Sequence, residues 1–238
     1  MTNSTIVLVH GAFADATGTW NTVADVLIRR GHPVIAVANP LRGLHHDAEY
    51  LRTVLATTPG PITLVGHSYG GAVISHAATG LDQVSALVYI AAFAPDEGES
   101  AGQLDEKFGG RAQQVTQARP LPGPAPLHGP PHIELSIVPA CYREAFAPDT
   151  APDTAAVLAA TQRPLALAAM LEPAGPPAWK TLPSYYAIST RDQMIPTAGQ
   201  REMAERMKAT TIDLDAGHAA TLSHPGPIAD LISTASTV

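Results

Sequence analysis

The chain contains little cysteine and little positive charge, and each scarcity excludes a class of protein. Its single cysteine, Cys141, cannot form a disulfide within the chain, and it cannot build a cysteine-based metal site alone. The 14 lysines and arginines are scattered and outnumbered by 21 acidic residues, so no basic face is available to neutralise nucleic-acid phosphates. The ten histidines show no ligand spacing such as His-Glu-x-x-His. We therefore expect no disulfide, no metal or other cofactor, and no nucleic-acid partner.

Long hydrophobic runs are also missing from the sequence. No stretch reaches the roughly 18 consecutive apolar residues that a membrane span needs. The apolar run at residues 6–9 is too short for a signal peptide, and no basic segment precedes it. With 238 residues, of which 45% are hydrophobic, the chain can still bury a sizeable core. These features predict a globular, cytoplasmic protein that does not associate with membranes.

Short apolar runs alternate with helical patterns in the first half of the chain and again near its end. Such alternation is typical of parallel βαβ units, in which helices cover both faces of one sheet. We predict an α/β fold with about six mainly parallel strands, at residues 6–9, 34–37, 62–65, 86–92, 184–189 and 210–214. Helices are expected between them, at residues 19–30, 47–57, 71–79, 197–208 and 228–234.

The pattern breaks between the fourth and fifth predicted strands. This segment is rich in proline, glycine and alanine and shows no clean strand signal, and residues 119–131 hold six prolines. Helices are predicted only at residues 139–147 and 153–170. About 85 residues is long for a linker, so we predict an inserted helical cap. The expected division is a core at 1–94 and 182–238, with the cap at 95–181.

The strongest chemical signal is the pentapeptide Gly66-His67-Ser68-Tyr69-Gly70, which follows a predicted strand and precedes a predicted helix. So sharp a turn presses together the residues two before and two after the serine, and glycine at both places removes the Cβ atoms that would collide. The Ser68 hydroxyl then stands at a helix N-terminus, where developing negative charge is stabilised. This arrangement predicts that Ser68 is a nucleophile.

A serine hydroxyl needs a general base at neutral pH, and His218 is placed to supply it. It follows the last predicted strand in a short loop, and the sites of parallel sheets form at the carboxyl ends of the strands. His224 is the second candidate for the general base. His10 is expected to structure its own loop, His67 lies inside the turn, and His76 lies two turns along the following helix.

The base in turn needs a carboxylate, and Asp192 follows the fifth predicted strand, one strand before His218. The chain order Ser, Asp, His is the order for hydrolases with this turn. The competing carboxylates are Asp96, Asp213 and Asp215.

The negative charge that develops on the carbonyl oxygen in the transition state must be stabilised by two hydrogen-bond donors. One is the backbone N–H of Tyr69, and the other belongs to the loop after the first strand, with Ala12 first and Phe13 second choice. The Phe13 ring, Tyr185 and Tyr186 are expected to contact substrate. The cap residues Leu165, Leu167, Met170 and Leu171 are candidates for an apolar roof over the pocket, although their helical spacing is more typical of ordinary core packing.

Together these residues resemble the α/β-hydrolase superfamily, and within it the small esterases related to plant methylesterases and hydroxynitrile lyases. The resemblance covers nearly all of residues 5–95 and 183–232, and the cap matches only loosely. It rests on VLVHGA at 7–12, the turn at 64–71, TRD and IP within 190–196, and GH at 217–218. It implies that the triad and oxyanion hole are made by Ser68, Asp192, His218, Ala12 and Tyr69. The chain begins at what is usually the third strand of this family, which implies about six parallel strands.

The predicted function is a serine hydrolase that cleaves a small carboxylic ester through an acyl-enzyme on Ser68. The first alternative is a hydroxynitrile-lyase-like lyase. The plant lyases that this chain resembles have threonine at the position of Gly11 and lysine at the position of Ala219. Both residues typical of the lyases are therefore missing here. The second alternative is a non-catalytic binding protein of the same fold. Chemistry with an aspartate nucleophile is excluded by Ser68.

Overall fold

The computed structural model describes residues 4–122 and 131–237, in which nine strands form two separate sheets. In chain order the strands are β1 (Thr5–Val9), β2 (Val34–Val37), β3 (Ile62–His67), β4 (Val84–Ile90), β5 (Thr116–Pro120), β6 (Ile133–Ile137), β7 (Leu165–Ala166), β8 (Ser184–Ser189) and β9 (Thr210–Leu214). The larger sheet has six strands in the order β2-β1-β3-β4-β8-β9, and every neighbouring pair is parallel. The predicted six-stranded parallel sheet is confirmed.

Helices connect and cover the strands of this sheet, and further helices belong to the segment between β4 and β8. In chain order they are α1 (Ala16–Arg29), α2 (Leu44–Leu55), α3 (Tyr69–Ala77), α4 (Ala101–Phe108), α5 (Ala112–Val115), α6 (Pro139–Ala145), α7 (Pro152–Thr161), α8 (Leu167–Leu171), α9 (Thr197–Arg206), α10 (Ala220–Ser223) and α11 (Pro225–Ala235). Across the described part of the chain, none of them is long and apolar enough to cross a membrane.

Both faces of the large sheet are buried, as β1 illustrates. Side chains alternate between the faces of a strand, so Ile6 and Leu8 lie on one face and Val7 and Val9 on the other. The first pair packs in a core with residues of α1 and α11, and the second pair packs in a core with residues of α2 and α3. A strand covered on both sides therefore consists of consecutive apolar residues, which is the pattern that predicted it.

The segment between β4 and β8 departs from the sequence prediction, because it contains strands as well as helices. β6 pairs antiparallel with both β5 and β7, forming a second sheet of three strands. β5 lies at the edge of this sheet and is mostly exposed, so its sequence carries no apolar alternation. β7 is only two residues long. Of the proline-rich stretch at 119–131, residues 123–130 lie outside the described residues.

The helices of this segment also differ from the prediction. The single helix expected at residues 153–170 is divided into α7 and α8, because Pro164 cannot continue a helix and Leu165–Ala166 pairs with β6 instead. The helix α4 was not predicted at all. Its signal is nevertheless in the sequence: the side chain of Ser100 accepts a hydrogen bond from the N–H of Gln103, and the Gln103 side chain accepts one from the N–H of Ser100.

Candidate active site

The sharp turn predicted at Ser68 lies between β3 and α3. Ser68 has φ 55° and ψ −126°, a left-handed conformation that is costly for a residue with a side chain. Close approach of the backbone explains the flanking glycines: a Cβ on Gly66 would lie 2.6 Å from the carbonyl oxygen of Gly70. A Cβ on Gly70 would lie 2.3 Å from the carbonyl oxygen of Val9. Both positions therefore require glycine, as the sequence predicts.

His218 lies in the loop after β9, next to Ser68. Its Nε2 is 2.9 Å from Ser68 Oγ, and its Nδ1 is 2.8 Å from Asp192 Oδ2. Because the carboxylate accepts, Nδ1 carries the proton, and Nε2 accepts a hydrogen bond from the Ser68 hydroxyl. All three side chains are buried. The structure thus brings together the three residues predicted from separate loops.

The Asp192 carboxylate is held by three further donors. Its Oδ1 accepts hydrogen bonds from the N–H groups of Met194 and Ile195, at 2.8 and 3.0 Å. Its Oδ2 also accepts one from the side chain of Gln200, at 2.9 Å. Gln200 is completely buried and uses its amide oxygen to accept from the N–H of Ser189. Gln200 could not be predicted from the sequence, because an isolated glutamine in a helix carries no signal of such long-range contacts.

The loop after β1 packs directly on the turn at Ser68. A Cβ on Gly11 would lie 2.6 Å from Ser68 Cβ and 2.7 Å from the carbonyl oxygen of His67. Ala12 lines the pocket beside Ser68 and Tyr69. The N–H of Phe13 donates to the carbonyl oxygen of Arg163, at 3.1 Å, so this second-choice oxyanion donor is already engaged.

His10 and Asn39 fix this same loop. The N–H of Asn39 donates to His10 Nε2 at 3.0 Å, and the Asn39 side chain donates to the carbonyl oxygen of His10 at 3.0 Å. His10 Nδ1 then donates to the carbonyl oxygen of Gly11, at 2.8 Å. Burial lowers the pKa of His10 to about 4, so the ring is neutral at pH 7. Asn39, like Gln200, has no local sequence motif that indicates this contact.

The competing residues lie in other contacts. Asp96 is ion-paired with Lys180, Asp213 with Arg201 and Asp215 with Arg191. His224 contacts the hydroxyl of Ser223, its neighbour in sequence. None of these four candidate residues is hydrogen-bonded to Ser68 or His218 within the residues that the structure describes.

A small pocket of about 20 Å³ opens at Ser68. Phe13 lines it, whereas Tyr185 and Tyr186 do not. Tyr186 is buried and its hydroxyl is bonded to the backbone of Ala92, and Tyr185 packs against the core on the face that α1 and α11 cover. Both tyrosines lie near the start of β8, away from the carboxyl end of that strand, where Asp192 follows.

A larger cavity of about 400 Å³ adjoins this pocket under the inserted segment. Three of the four predicted roof residues line it, namely Leu167, Met170 and Leu171, and Met170 also lines the pocket at Ser68. The fourth, Leu165, is fully buried in the core instead.

Comparisons with known proteins show which family this chain resembles. A model of the family described as "Alpha/beta hydrolase family" matches residues 6–231. Methylesterase 2 of Arabidopsis thaliana is 32% identical over 117 residues, which cover 43% of this chain and 44% of that protein. Carbendazim hydrolyzing esterase of Nocardioides sp. (strain SG-4G) is 33% identical over 109 residues, which cover 40% of this chain and 44% of that protein.

Similarity to solved structures extends over the whole chain. The crystal structure of a pyrethroid hydrolase from Sphingobium faniae JZ-2 superimposes with a TM-score of 0.80. The match covers 100% of this chain and 98% of that one, at 22% sequence identity. At this identity the likeness concerns the fold alone.

Proposed function

The chain belongs to the alpha/beta hydrolase family, as its sequence resemblance predicts, and from this premise we propose that it is a carboxylic ester hydrolase. In this proposal Ser68 is the nucleophile, His218 the base and Asp192 its carboxylate partner. The observation that carries the proposal is the unbroken chain of hydrogen bonds from Ser68 through His218 to Asp192, at 2.9 and 2.8 Å.

The first half of the reaction forms an acyl-enzyme. Ser68 Oγ attacks the ester carbonyl while its proton passes to His218 Nε2, and Asp192 stabilises the resulting imidazolium. The N–H groups of Ala12 and Tyr69 donate to the oxyanion, since Tyr69 begins α3 and its N–H has no partner within the helix. His218 then gives the proton to the leaving alcohol, and the acyl group remains on Ser68.

The second half is hydrolysis of that acyl group. A water molecule gives its proton to His218 and attacks the acyl carbonyl, and the oxyanion is again held by Ala12 and Tyr69. Collapse of the tetrahedral intermediate releases the carboxylic acid and returns the proton to Ser68. No cofactor takes part in these steps.

We assign the segment at 95–181 the role of a cap, because it supplies most of the walls of the larger cavity. A cavity of this size accepts a small molecule, and the proposed partner is therefore a small ester. The cytoplasmic location stays a prediction from the sequence.

The lyase alternative receives no support from the geometry. A threonine at Gly11, as in the resembling plant lyases, would place its Cβ 2.6 Å from Ser68 Cβ. The loop after β1 would have to move to accept it. The structure also gives no observation that favours a non-catalytic receptor.

Initial rates on p-nitrophenyl esters from acetate to laurate test the proposal, with wild type and Ser68→Ala measured in parallel. We expect hydrolysis by the wild type and a loss of several orders of magnitude in kcat in the variant. Near-normal hydrolysis by folded Ser68→Ala would contradict the proposed nucleophile. Wild-type protein that is folded but inactive on every ester of the series would contradict the proposed activity.

A further inference from the structure

Four carboxyl side chains are buried in the described part of the chain, and three of them have partners. Asp47 accepts hydrogen bonds from the Tyr69 hydroxyl and the N–H of Arg42. Glu134 forms ion pairs with Arg42 and Arg119, and Asp192 has the donors described above. The fourth, Asp105, receives no hydrogen bond and forms no ion pair within residues 4–122 and 131–237, although it is only 4% exposed.

Asp105 lies where the two cavities meet. It lines both the small pocket at Ser68 and the larger cavity beside it. The other residues that line both are Phe13, Ala112 and Met170, none of which has a polar side chain. A ligand that fills both cavities must therefore pass Asp105, which alone among these four residues has a polar side chain.

Asp105 packs closely against Gly110. Asp105 lies on α4, and the N–H of Gly110 donates to its backbone carbonyl at 2.8 Å. A Cβ on Gly110 would lie 1.9 Å from Asp105 Oδ1 and 2.6 Å from the carbonyl oxygen of Met194, so the carboxyl occupies space that only glycine leaves free. The N–H of Met194 donates to the Asp192 carboxylate. Asp105 and Gly110 therefore lie next to the loop that positions Asp192.

Among the residues that the structure describes, no lysine or arginine forms an ion pair with this carboxyl. The neighbouring Lys107 is paired with Glu202, and Arg111 is paired with Glu144. Burial alone raises the pKa of Asp105 to about 6, and no nearby charge counteracts it. A buried carboxylate without a partner destabilises the folded protein, and such groups are concentrated at sites that bind or react.

We propose that Asp105 is a specificity-determining residue that accepts a hydrogen bond from a hydroxyl or N–H group of the substrate, next to the ester carbonyl. The apolar part of the same substrate would fill the larger cavity, whose walls include Leu135, Leu167 and Leu171. This inference rests on the proposed esterase function. It predicts that esters with a hydrogen-bond donor beside the scissile bond are the preferred substrates.

The physical basis is the cost of leaving the carboxylate unpaired. A substrate without the donor displaces water from Asp105 and forms no hydrogen bond to replace those of the water. A substrate with the donor forms a hydrogen bond to a charged group. Sites built to bind a substrate hydroxyl or N–H for this reason reject analogues that lack it. One such bond corresponds to a preference of about tenfold to a hundredfold.

The test compares kcat/KM for methyl mandelate, which has a hydroxyl beside the carbonyl, with kcat/KM for methyl phenylacetate, which lacks it. A second pair places the donor on the alcohol half of the ester. It compares the acetate ester formed at the 1-hydroxyl of 1-phenylethane-1,2-diol with the acetate ester of 1-phenylethanol. We expect the wild type to prefer the donor in at least one pair by about tenfold or more. Asp105→Leu should reduce that preference to near unity. Asp105→Asn, which keeps an acceptor oxygen, should retain part of it.

Glu97→Gln is the matched control, because it removes an exposed carboxylate from the same segment without altering either cavity. Its preference should equal that of the wild type. If Asp105→Leu does not fold, as judged by circular dichroism, Asp105→Asn carries the comparison. A wild type that prefers the donor in neither pair overturns the inference, and so does an unchanged preference in Asp105→Leu.

A binding measurement separates failure of this inference from failure of the proposed function. Calorimetry with Ser68→Ala compares mandelamide with phenylacetamide, and the double variant Ser68→Ala, Asp105→Leu repeats the comparison. Tighter binding of mandelamide that depends on Asp105, without turnover of any ester by the wild type, supports the role of Asp105 and contradicts the esterase. Turnover of simple esters without any donor preference supports the esterase and overturns the role of Asp105.

Discussion

The ring of His67 donates a hydrogen bond from Nε2 to the backbone carbonyl oxygen of His218, at 3.0 Å. The residue before the predicted nucleophile therefore holds the loop that carries the predicted base. The two rings also lie 4.8 Å apart between centroids. Burial lowers the pKa of His67 to about 3, so His67 is neutral at pH 7 and serves as a donor rather than as a second base.

Replacing His67 is expected to misplace His218 without removing any reacting group. We predict that His67→Leu lowers kcat on p-nitrophenyl acetate by about tenfold to a hundredfold, because small displacements of positioned groups have effects of this size. His67→Gln, whose amide can still donate, should recover part of the loss. Equal loss in both variants, at equal thermal stability, would contradict a role that depends on this hydrogen bond.

Asp192→Asn should lower kcat by about 10⁴-fold while leaving the fold intact, since an amide no longer fixes the tautomer of His218 or stabilises its charged form. Steady-state kinetics with circular dichroism measures both properties. Asp213→Asn is the control, because Asp213 is ion-paired at the surface with Arg201. Its activity should equal that of the wild type, and a comparable loss there would refute the choice of Asp192.

Gly11→Ala is predicted to lower kcat by at least about a hundredfold, because its Cβ would collide with Ser68 and force the loop after β1 away from the turn. Gly226→Ala provides the matched control: no atom lies within 4 Å of a Cβ there. Its activity should be unchanged. Full activity in Gly11→Ala would show that the loop can shift without affecting the oxyanion donors.

Acidification should destabilise the protein through His10. The folded state holds the pKa of His10 near 4, against an ordinary value of 6.5, so the unfolded chain binds the additional proton as the pH falls through this window. Stability contributed by the neutral ring is therefore present above pH 6.5 and lost below it. Between pH 7 and pH 5 we expect the wild type to lose about 2 kcal/mol more unfolding free energy than His10→Asn. Urea unfolding at the two pH values measures this difference, and equal losses would contradict it.

Asp105 should make the stability of the protein depend on pH in the opposite direction. Its pKa is raised to about 6, so the unpaired charge destabilises the folded state above that pH, and the effect diminishes as the pH falls towards 3.8. We predict that Asp105→Asn raises the unfolding free energy at pH 8 by about 1 kcal/mol more than at pH 5. Unfolding curves of both proteins at both pH values test this. A larger gain at pH 5 would contradict it.

The large sheet and the three central side chains could be predicted because local patterns encode them. β1 contains the apolar run at residues 6–9, β3 is mostly apolar up to the sharp turn at Ser68, and the loops after parallel strands must meet at one edge. The sheet of the inserted segment could not be predicted in this way. β5 has no apolar alternation, and β7 has two residues, so both depend on their pairing with β6.

Some site residues also depend on contacts between distant parts of the chain. Gln200 and Asn39 are polar residues without any local motif, and only the tertiary structure brings them to Asp192 and His10. Tyr185 and Tyr186 show the reverse error. They were expected to contact substrate, but they lie within β8 and pack in the core.

The parallel pairing of β4 with β8, in which Leu87 lies opposite Ser184, also bears on how the protein folds. The entire inserted segment separates these two strands along the chain, so their pairing requires closure of a long loop. Contacts so distant in sequence form slowly, whereas helices form early. During refolding from denaturant we therefore expect helical circular dichroism to return before any ester hydrolysis, because Ser68 lies before the loop and Asp192 and His218 lie after it.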